Sequence, residues 1–500
     1  MKPKAVKAPP GARRLIESLR DLGYETKTAI ADIVDNSINA NSSKVTIEVF
    51  SKAGTTPAHI ILADNGSGMH SDDLWEAMRF GSHKDYSIDD LGKYGLGLKT
   101  ASLSQCGLLT VASKPKKTTG KRSRVTINQW DVAHINKTDD WDLLTPDLGD
   151  LPQWMRAVIN ENVSEESKGG TVVIWSNLHE YLPLLESDDQ RTSEGQVATL
   201  ISEISEHLKM VFHRFMDGSV KEAEKLTISV GGNVLIPWDP FCRTEHTKRL
   251  SPQTFSIRSA SGELKGQKHK VIFQPYILPS QAEFSSRSAH KDASGPRNWN
   301  IQQGFYYYRN NRLIQAGGWS NLRGVEEHHK LLRIAIDFNA ALDDSFGINI
   351  TKMKAKIPAE IREEVKNFVT EWIKPAETRY RGKSKDSTGK TSGSENHKFT
   401  PARSTGPSSS AVSVGPVSLV PSNARTSSLA ITKGSKPGYW KIIVPQNHIL
   451  SASFNNNGKD AALKQMILML IGLLESIVMN QIDPKKIPLE SIKKQIRKFL

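Results

Sequence analysis

The 500-residue sequence predicts an α+β fold in which helices layer over a mixed sheet. Two observations carry this expectation. Between Arg13 and Ser113, apolar residues at helical spacing alternate with short runs of period-two, strand-like patterning. Strand-like runs then recur as far as Phe338, with no internal repeat.

Taken in order, Ile16 to Leu22 is a short amphipathic stretch, and Thr26 to Asn41 reads as a helix on Ile30, Ile33, Val34 and Ile38. Val45 to Phe50 and His59 to Ala63 are expected strands, Gly95 to Gln105 a helix, and Leu108 to Ser113 a third strand. Arg124 to Ile127 and Gly170 to Trp175 complete that sheet. A second domain is expected to open with a helix from Gln196 to Phe215 and to hold strands at Leu226 to Val230, Val271 to Phe273 and Leu332 to Phe338. Gly304 to Ile314 reads as a hairpin turning on Asn310 and Asn311, which tolerate positive φ. Its tyrosines, Tyr306 to Tyr308, could stack on bases, but alternating burial in that hairpin is the expected reading. Ala359 to Ile373 is an amphipathic helix ending the domain.

From Arg381 to Gly438 the chain is rich in Ser, Thr, Gly, Pro and Lys. Such sequence buries too little surface to offset its ordering entropy, so a disordered linker is expected. A small α/β tail follows, with a strand at Trp440 to Val444, a buried helix around Met466 to Leu474 and a basic last helix. The expected divisions are therefore 1–185, 186–380, 381–438 and 439–500.

Composition bounds the partners. A net charge of +14 and a pI of about 9.4 attract polyanions, which makes nucleic acid, DNA in particular, the natural partner class. The two cysteines, Cys106 and Cys242, make no disulfide framework, which favours a reducing compartment and a cytoplasmic protein. The run Met466 to Leu474 is far shorter than the roughly 20 residues of a spanning helix, so no membrane association is expected.

Four short segments between residues 31 and 102 carry chemistry. In Ala31-Asp32-Ile33-Val34-Asp35-Asn36-Ser37, positions 32 and 36 share a helix face. The amide oxygen of Asn36 suits magnesium, and a carboxylate one turn earlier can reach a water attacking a γ-phosphate. In Asp64-Asn65-Gly66-Ser67-Gly68-Met69, Gly66 and Gly68 permit close approach to a flat ligand, and Asp64 can accept from an adenine amino group. Phe80-Gly81-Ser82 precedes a glycine-rich turn, Gly92-Lys93-Tyr94-Gly95-Leu96-Gly97-Leu98-Lys99, whose backbone N–H groups can cradle phosphates at a helix start. It lacks the glycine spacing of a P-loop.

The ordered set resembles the GHKL superfamily: gyrase ATPase subunits, the 90-kDa heat-shock chaperone, histidine kinases and MutL. Within it the chain is most similar to the microrchidia (MORC) ATPases and their bacterial relatives, over residues 13–180. The resemblance implies a Bergerat-type ATPase domain, followed by an S5-like transducer domain, and ATP and magnesium as cofactors. It implies Asp64 at the adenine with Gly68 and Met69, magnesium on Asn36, a mobile lid from Met69 to Gly92, and phosphate at Gly92, Gly95, Leu96, Gly97 and Lys99. Thr171 matches the family's final threonine near the adenine. The family's general-base glutamate is replaced by Asp32, one methylene shorter, which implies slow hydrolysis because misplacing a base by about an ångström costs on the order of a hundredfold. Within the weaker transducer match, Lys352, with Lys354 close by, stands where a family lysine reaches the γ-phosphate. The function so implied is a nucleotide-dependent homodimeric clamp acting on DNA, in defence or DNA maintenance, with a further protein partner left open. The alternatives are a chaperone like the 90-kDa heat-shock protein and a weakly hydrolysing ATP-binding scaffold.

Overall fold

The computed structural model describes residues 10–20, 24–81, 91, 97–116, 123–163, 169–178, 183–187, 189–260, 264–296, 298–348 and 355–382, and four strands between 412 and 445. The chain divides into two compact units, Met1–Lys390 and Thr391–Leu500. The architecture is α+β with mixed sheets.

In the first unit, β1 (Lys44–Phe50), β2 (His59–Asp64), β3 (Cys106–Lys114), β4 (Thr126–Asp131), β5 (Gly170–Leu178), β6 (Thr227–Val230) and β7 (Asn233–Val234) form one sheet in the order β4-β3-β5-β2-β1-β6-β7. Neighbours run antiparallel except β1 and β6, which pair in parallel, Val45 opposite Ile228. The strand at 227–230, expected in the second domain, thus extends the first sheet. Parallel pairing with β1 brings Ile228 and Val230 into the same core as Val45 and Ile47.

Helices α1 (Ala12–Arg20), α2 (Thr26–Asn39), α3 (Ser71–Met78), α4 (Gly97–Leu103), α5 (Val132–Thr138), α6 (Gln153–Val163), α7 (Gln190–Val211) and α8 (His213–Met216) surround this sheet. The long helix expected from Gln196 begins six residues earlier and breaks at Phe212, where the backbone leaves helical geometry before α8. Both sheet faces are covered, which explains the unbroken apolar run of β2. Ile60 and Leu62 join the core formed with α2, α4 and α7, whereas Ile61 and Ala63 pack with Met155 and Ile159 of α6. Because α2 is wedged between α4 and α7, it is buried from Thr28 to Asp35, carboxylates included.

The second sheet comprises β8 (Lys248–Arg249), β9 (Gln253–Arg258), β10 (Lys268–Ile277), β11 (Gly304–Arg309), β12 (Arg312–Ala316) and β13 (Leu332–Phe338). Its order is β12-β11-β13-β10-β8, with β9 also on β10 and with β11 parallel to β13. The β11–β12 hairpin turns on Asn310 (φ 46°) and Asn311 (φ 68°), the left-handed pair that a two-residue hairpin needs. Tyr306, Tyr307 and Tyr308 are all fully buried: Tyr307 in the larger core of this sheet, Tyr306 and Tyr308 on the other side with Met210 and Phe241. Besides α9 (Arg287–Ala293), the chain adds α10 (Arg362–Arg381), whose Val365, Val369, Trp372 and Ile373 close the larger core.

The second unit holds a sheet of β14 (Val412–Val414), β15 (Val417–Ser422), β16 (Ala430–Lys433) and β17 (Trp440–Pro445), ordered β14-β15-β17-β16. Three of these strands lie within the stretch 381–438 that the sequence marks as a linker. Short β-branched runs such as Val412, Val414, Val417 and Ile431 supply strand propensity that overall composition hides. The helices expected after residue 445 lie outside the described residues. Among the described residues no helix is long and apolar enough to cross a membrane.

Candidate active site

Strand β2 ends at Asp64 and delivers the chain into a tight turn packed on the end of α2. Asn65 Oδ1 accepts from the backbone N–H groups of Ser43 and Lys44 at 3.0 and 2.9 Å, and Ser67 N donates to Ala40 O at 2.8 Å. The glycines serve this packing. A Cβ on Gly66 would lie 2.6 Å from Ser42 Oγ, and one on Gly68, already left-handed at φ 64°, would lie 1.8 Å from Lys114 O.

Asp64 collects donors from several sides: Gly66 N at 2.8 Å and Ser42 Oγ at 3.2 Å on Oδ1, Ser37 Oγ at 3.0 Å on Oδ2, and the backbone N–H of Thr171. Burial pushes its carboxyl above the usual range, and these donors pull it back in part. Thr171 stands opposite Asp64 in the β2–β5 register, and its Oγ1 lies 2.8 Å from Ser113 Oγ. Ser113 Oγ also accepts from Met69 N at 2.9 Å and donates to Gly170 O at 3.1 Å. Asp64, Gly66, Gly68, Met69 and Thr171 are therefore gathered at one end of β2, β3 and β5. Ser37 ties them to α2.

On α2, Asp32 and Asp35 are buried, at 3% and 1% exposure, while Asn36 is exposed. Arg312, the first residue of β12, reaches both carboxylates: Nε donates to Asp35 Oδ1 at 2.7 Å and Nη2 to Asp32 Oδ1 at 3.4 Å. Tyr24 donates its hydroxyl to Asp32 Oδ2 at 3.3 Å. Burial, then Asp32, hold the Tyr24 hydroxyl well above its usual pKa. Asn36 offers an uncharged oxygen donor on the exposed side of the same helix, one turn from Asp32, a donor type that fits a magnesium ion keeping several waters.

Gly97 opens α4, and a Cβ there would meet open space. Lys99, expected at the phosphate, is turned inward instead: Nζ donates to Ala77 O at 2.9 Å and Arg79 O at 2.8 Å, and burial pushes its pKa down to about 8. Leu91 is held from two sides, its N–H by Asn39 Oδ1 at 3.2 Å and its carbonyl by Arg309 Nη1 at 2.9 Å. Arg309 in turn makes a buried two-point ion pair with Asp343, at 2.8 and 3.1 Å. Gly92, Gly95, Leu96 and Lys352 lie outside the described residues.

Tyr24, Ser113, Arg309 and Arg312 escaped the sequence reading. Only the hairpin signature Arg309-Asn310-Asn311-Arg312 marked any of them, since a tight turn flanked by two arginines must bury or expose both.

Residues 24–169 match the family described as histidine kinase-, DNA gyrase B-, and HSP90-like ATPase. The chain is 30% identical over 115 residues to the DNA mismatch repair protein MutL of Halobacterium salinarum, covering 22% of this chain and 17% of that protein. It is 26% identical over 156 residues to Protein MICRORCHIDIA 4 of Arabidopsis thaliana, covering 30% of this chain and 19% of that protein. Protein MICRORCHIDIA 1 of the same plant is 28% identical over 122 residues, which are 24% of this chain and 19% of that one. The chain thus matches less than a fifth of the length of these relatives. A crystal structure of the N-terminal domain of a DNA repair protein superposes with a TM-score of 0.38 at 16% identity, covering 73% of this chain and 97% of that one.

Proposed function

We propose, on the premise that residues 24–169 are an ATPase domain of the GHKL type, that the chain binds ATP with magnesium, hydrolyses it slowly, and uses the nucleotide to close a homodimeric clamp on DNA. The observation that carries this reading is the Ser37–Asp64 hydrogen bond of 3.0 Å. It joins the turn suited to an adenine with the helix that bears Asp32 and Asn36.

In this reading Asp64 accepts from the adenine amino group, with Met69 and Thr171 beside it. Asn36 would hold magnesium, which supplies charge neutralisation on the phosphates when bound. Gly97, with Gly92, Gly95 and Leu96, offers backbone N–H groups to the phosphate chain. Asp32 orients the attacking water and takes its proton. Lys352 would contact the γ-phosphate, and the second sheet with α10 would serve as an S5-like transducer. Support for DNA comes from the net charge of +14 and from the similarity to MutL, a DNA mismatch repair protein.

Steady-state hydrolysis by the full chain, with and without duplex DNA, tests this reading. DNA is expected to stimulate turnover, and Asp32→Ala to lower kcat by about 10²–10⁴-fold while ATP still binds. Light scattering should show the mass doubling with a non-hydrolysable ATP analogue. Equal, low rates in both proteins would favour the scaffold, and stimulation by unfolded protein but not DNA the chaperone.

A further inference from the structure

One guanidinium, that of Arg312, spans two carboxylates three residues apart on α2. All three side chains are nearly inaccessible, at 3% for Arg312, 2% for Asp32 and 1% for Asp35. Two like charges this close, taken out of water, are tolerated only with a cation between them. Arg312 supplies that cation from 280 residues away in sequence. Its planar fork then dictates where the carboxylates point, which a flexible ammonium does not. Phe212, with its ring centre 5.8 Å from the guanidinium carbon, flanks the fork.

Asp32 is gripped on both oxygens by groups foreign to its own helix, Oδ1 by Arg312 and Oδ2 by Tyr24. A short aspartate has little conformational reach of its own, so these two contacts bear directly on its aim. The hairpin that carries Arg312 is itself anchored: three residues earlier, Arg309 holds both Asp343 and the carbonyl of Leu91. The tip of β11–β12 therefore touches the candidate site at two places, the α2 carboxylates and Leu91.

We propose that Arg312 is a positioning residue for the hydrolytic step: it sets the aim of Asp32 at the attacking water, and through it the second sheet controls turnover rather than nucleotide affinity. The proposal rests on the reading of residues 24–169 as an ATP-hydrolysing domain. A purely structural ion pair would change stability and leave kcat alone, whereas an inhibitory lock would raise kcat when broken.

The test uses the full chain as wild type, Arg312→Lys, Arg312→Gln and Asp32→Ala, with ATP affinity measured by calorimetry and kcat and KM by steady-state hydrolysis. Both Arg312 variants should bind ATP within about threefold of wild type, since uniform binding is untouched. Arg312→Gln should lose about 10–100-fold in kcat, the cost of a misdirected base. Arg312→Lys should recover part of that loss, because it keeps the charge and not the fork. An Arg312→Gln protein that binds ATP and turns over as fast as wild type, or faster, overturns the proposal. Should Gln abolish ATP binding by unfolding the site, Arg312→Lys decides: a wild-type kcat there overturns it equally. A wild type that binds ATP yet hydrolyses no faster than Asp32→Ala defeats the hydrolytic reading itself, a result distinct from active wild type matched by an active Arg312 variant.

Discussion

Replacing Arg309 by methionine is expected to destabilise the first unit by about 3–5 kcal/mol, the cost of leaving one member of a buried ion pair behind. Asp343 is 2% exposed in its side chain and accepts two hydrogen bonds from Arg309, so its charge would lose a buried guanidinium partner where water cannot replace it. The carbonyl of Leu91 would lose its guanidinium donor as well. The double variant Arg309→Met/Asp343→Leu should regain much of the loss, because paired removal of buried charges is close to neutral. It should still fall short of wild type by about 1–3 kcal/mol, the cost of an unmet buried carbonyl. Urea unfolding of the full chain, followed by tryptophan fluorescence, measures both quantities. A single variant as stable as wild type would mean that Arg309 does not join the second sheet to the first.

Asp64→Ala is expected to weaken ATP binding by about 10–100-fold or more, the worth of a charged hydrogen bond in a partly buried site. The loss has two parts. The adenine amino group would lose its acceptor, and the donors Ser37 Oγ, Ser42 Oγ and Gly66 N would lose the carboxylate that organises them. Asp64→Asn should bind with intermediate affinity, because it keeps one acceptor oxygen and turns a donor toward Ser37 or Ser42. Calorimetric titration of each variant with ATP and magnesium separates the three proteins, and thermal melts show whether the fold survives. Unchanged affinity in folded Asp64→Ala would place the adenine elsewhere.

Much of this was legible in the sequence where the information is local. The period of Ile30, Ile33 and Val34 gave α2, and the Asn310–Asn311 turn gave the β11–β12 hairpin, because both depend on neighbours within a few residues. The Asp64–Met69 turn was visible through its glycines, and the structure shows them accommodating Ser42 and Lys114. What escaped depends on distant pairings. Strand β6 joins the first sheet by lying parallel to β1, some 180 residues away, and no local pattern encodes a parallel partner. Arg312 and Asp32 are likewise brought together only by the packing of one sheet on the other. Lys99 looked like a free phosphate-binding charge beside glycines, yet the end of α3 presents two carbonyls that capture it. At 412–433 an average over serine and glycine hides short β-branched runs that take strand geometry.

In the proposed function the turn after β2 and the helix α2 together bind a nucleotide. Calorimetric titration of the full chain with ATP in the presence of magnesium tests it most directly. Saturable binding of one ATP per chain is expected, lost when magnesium is chelated or Asn36 is replaced by alanine. Folded protein that takes up no ATP under these conditions would contradict it.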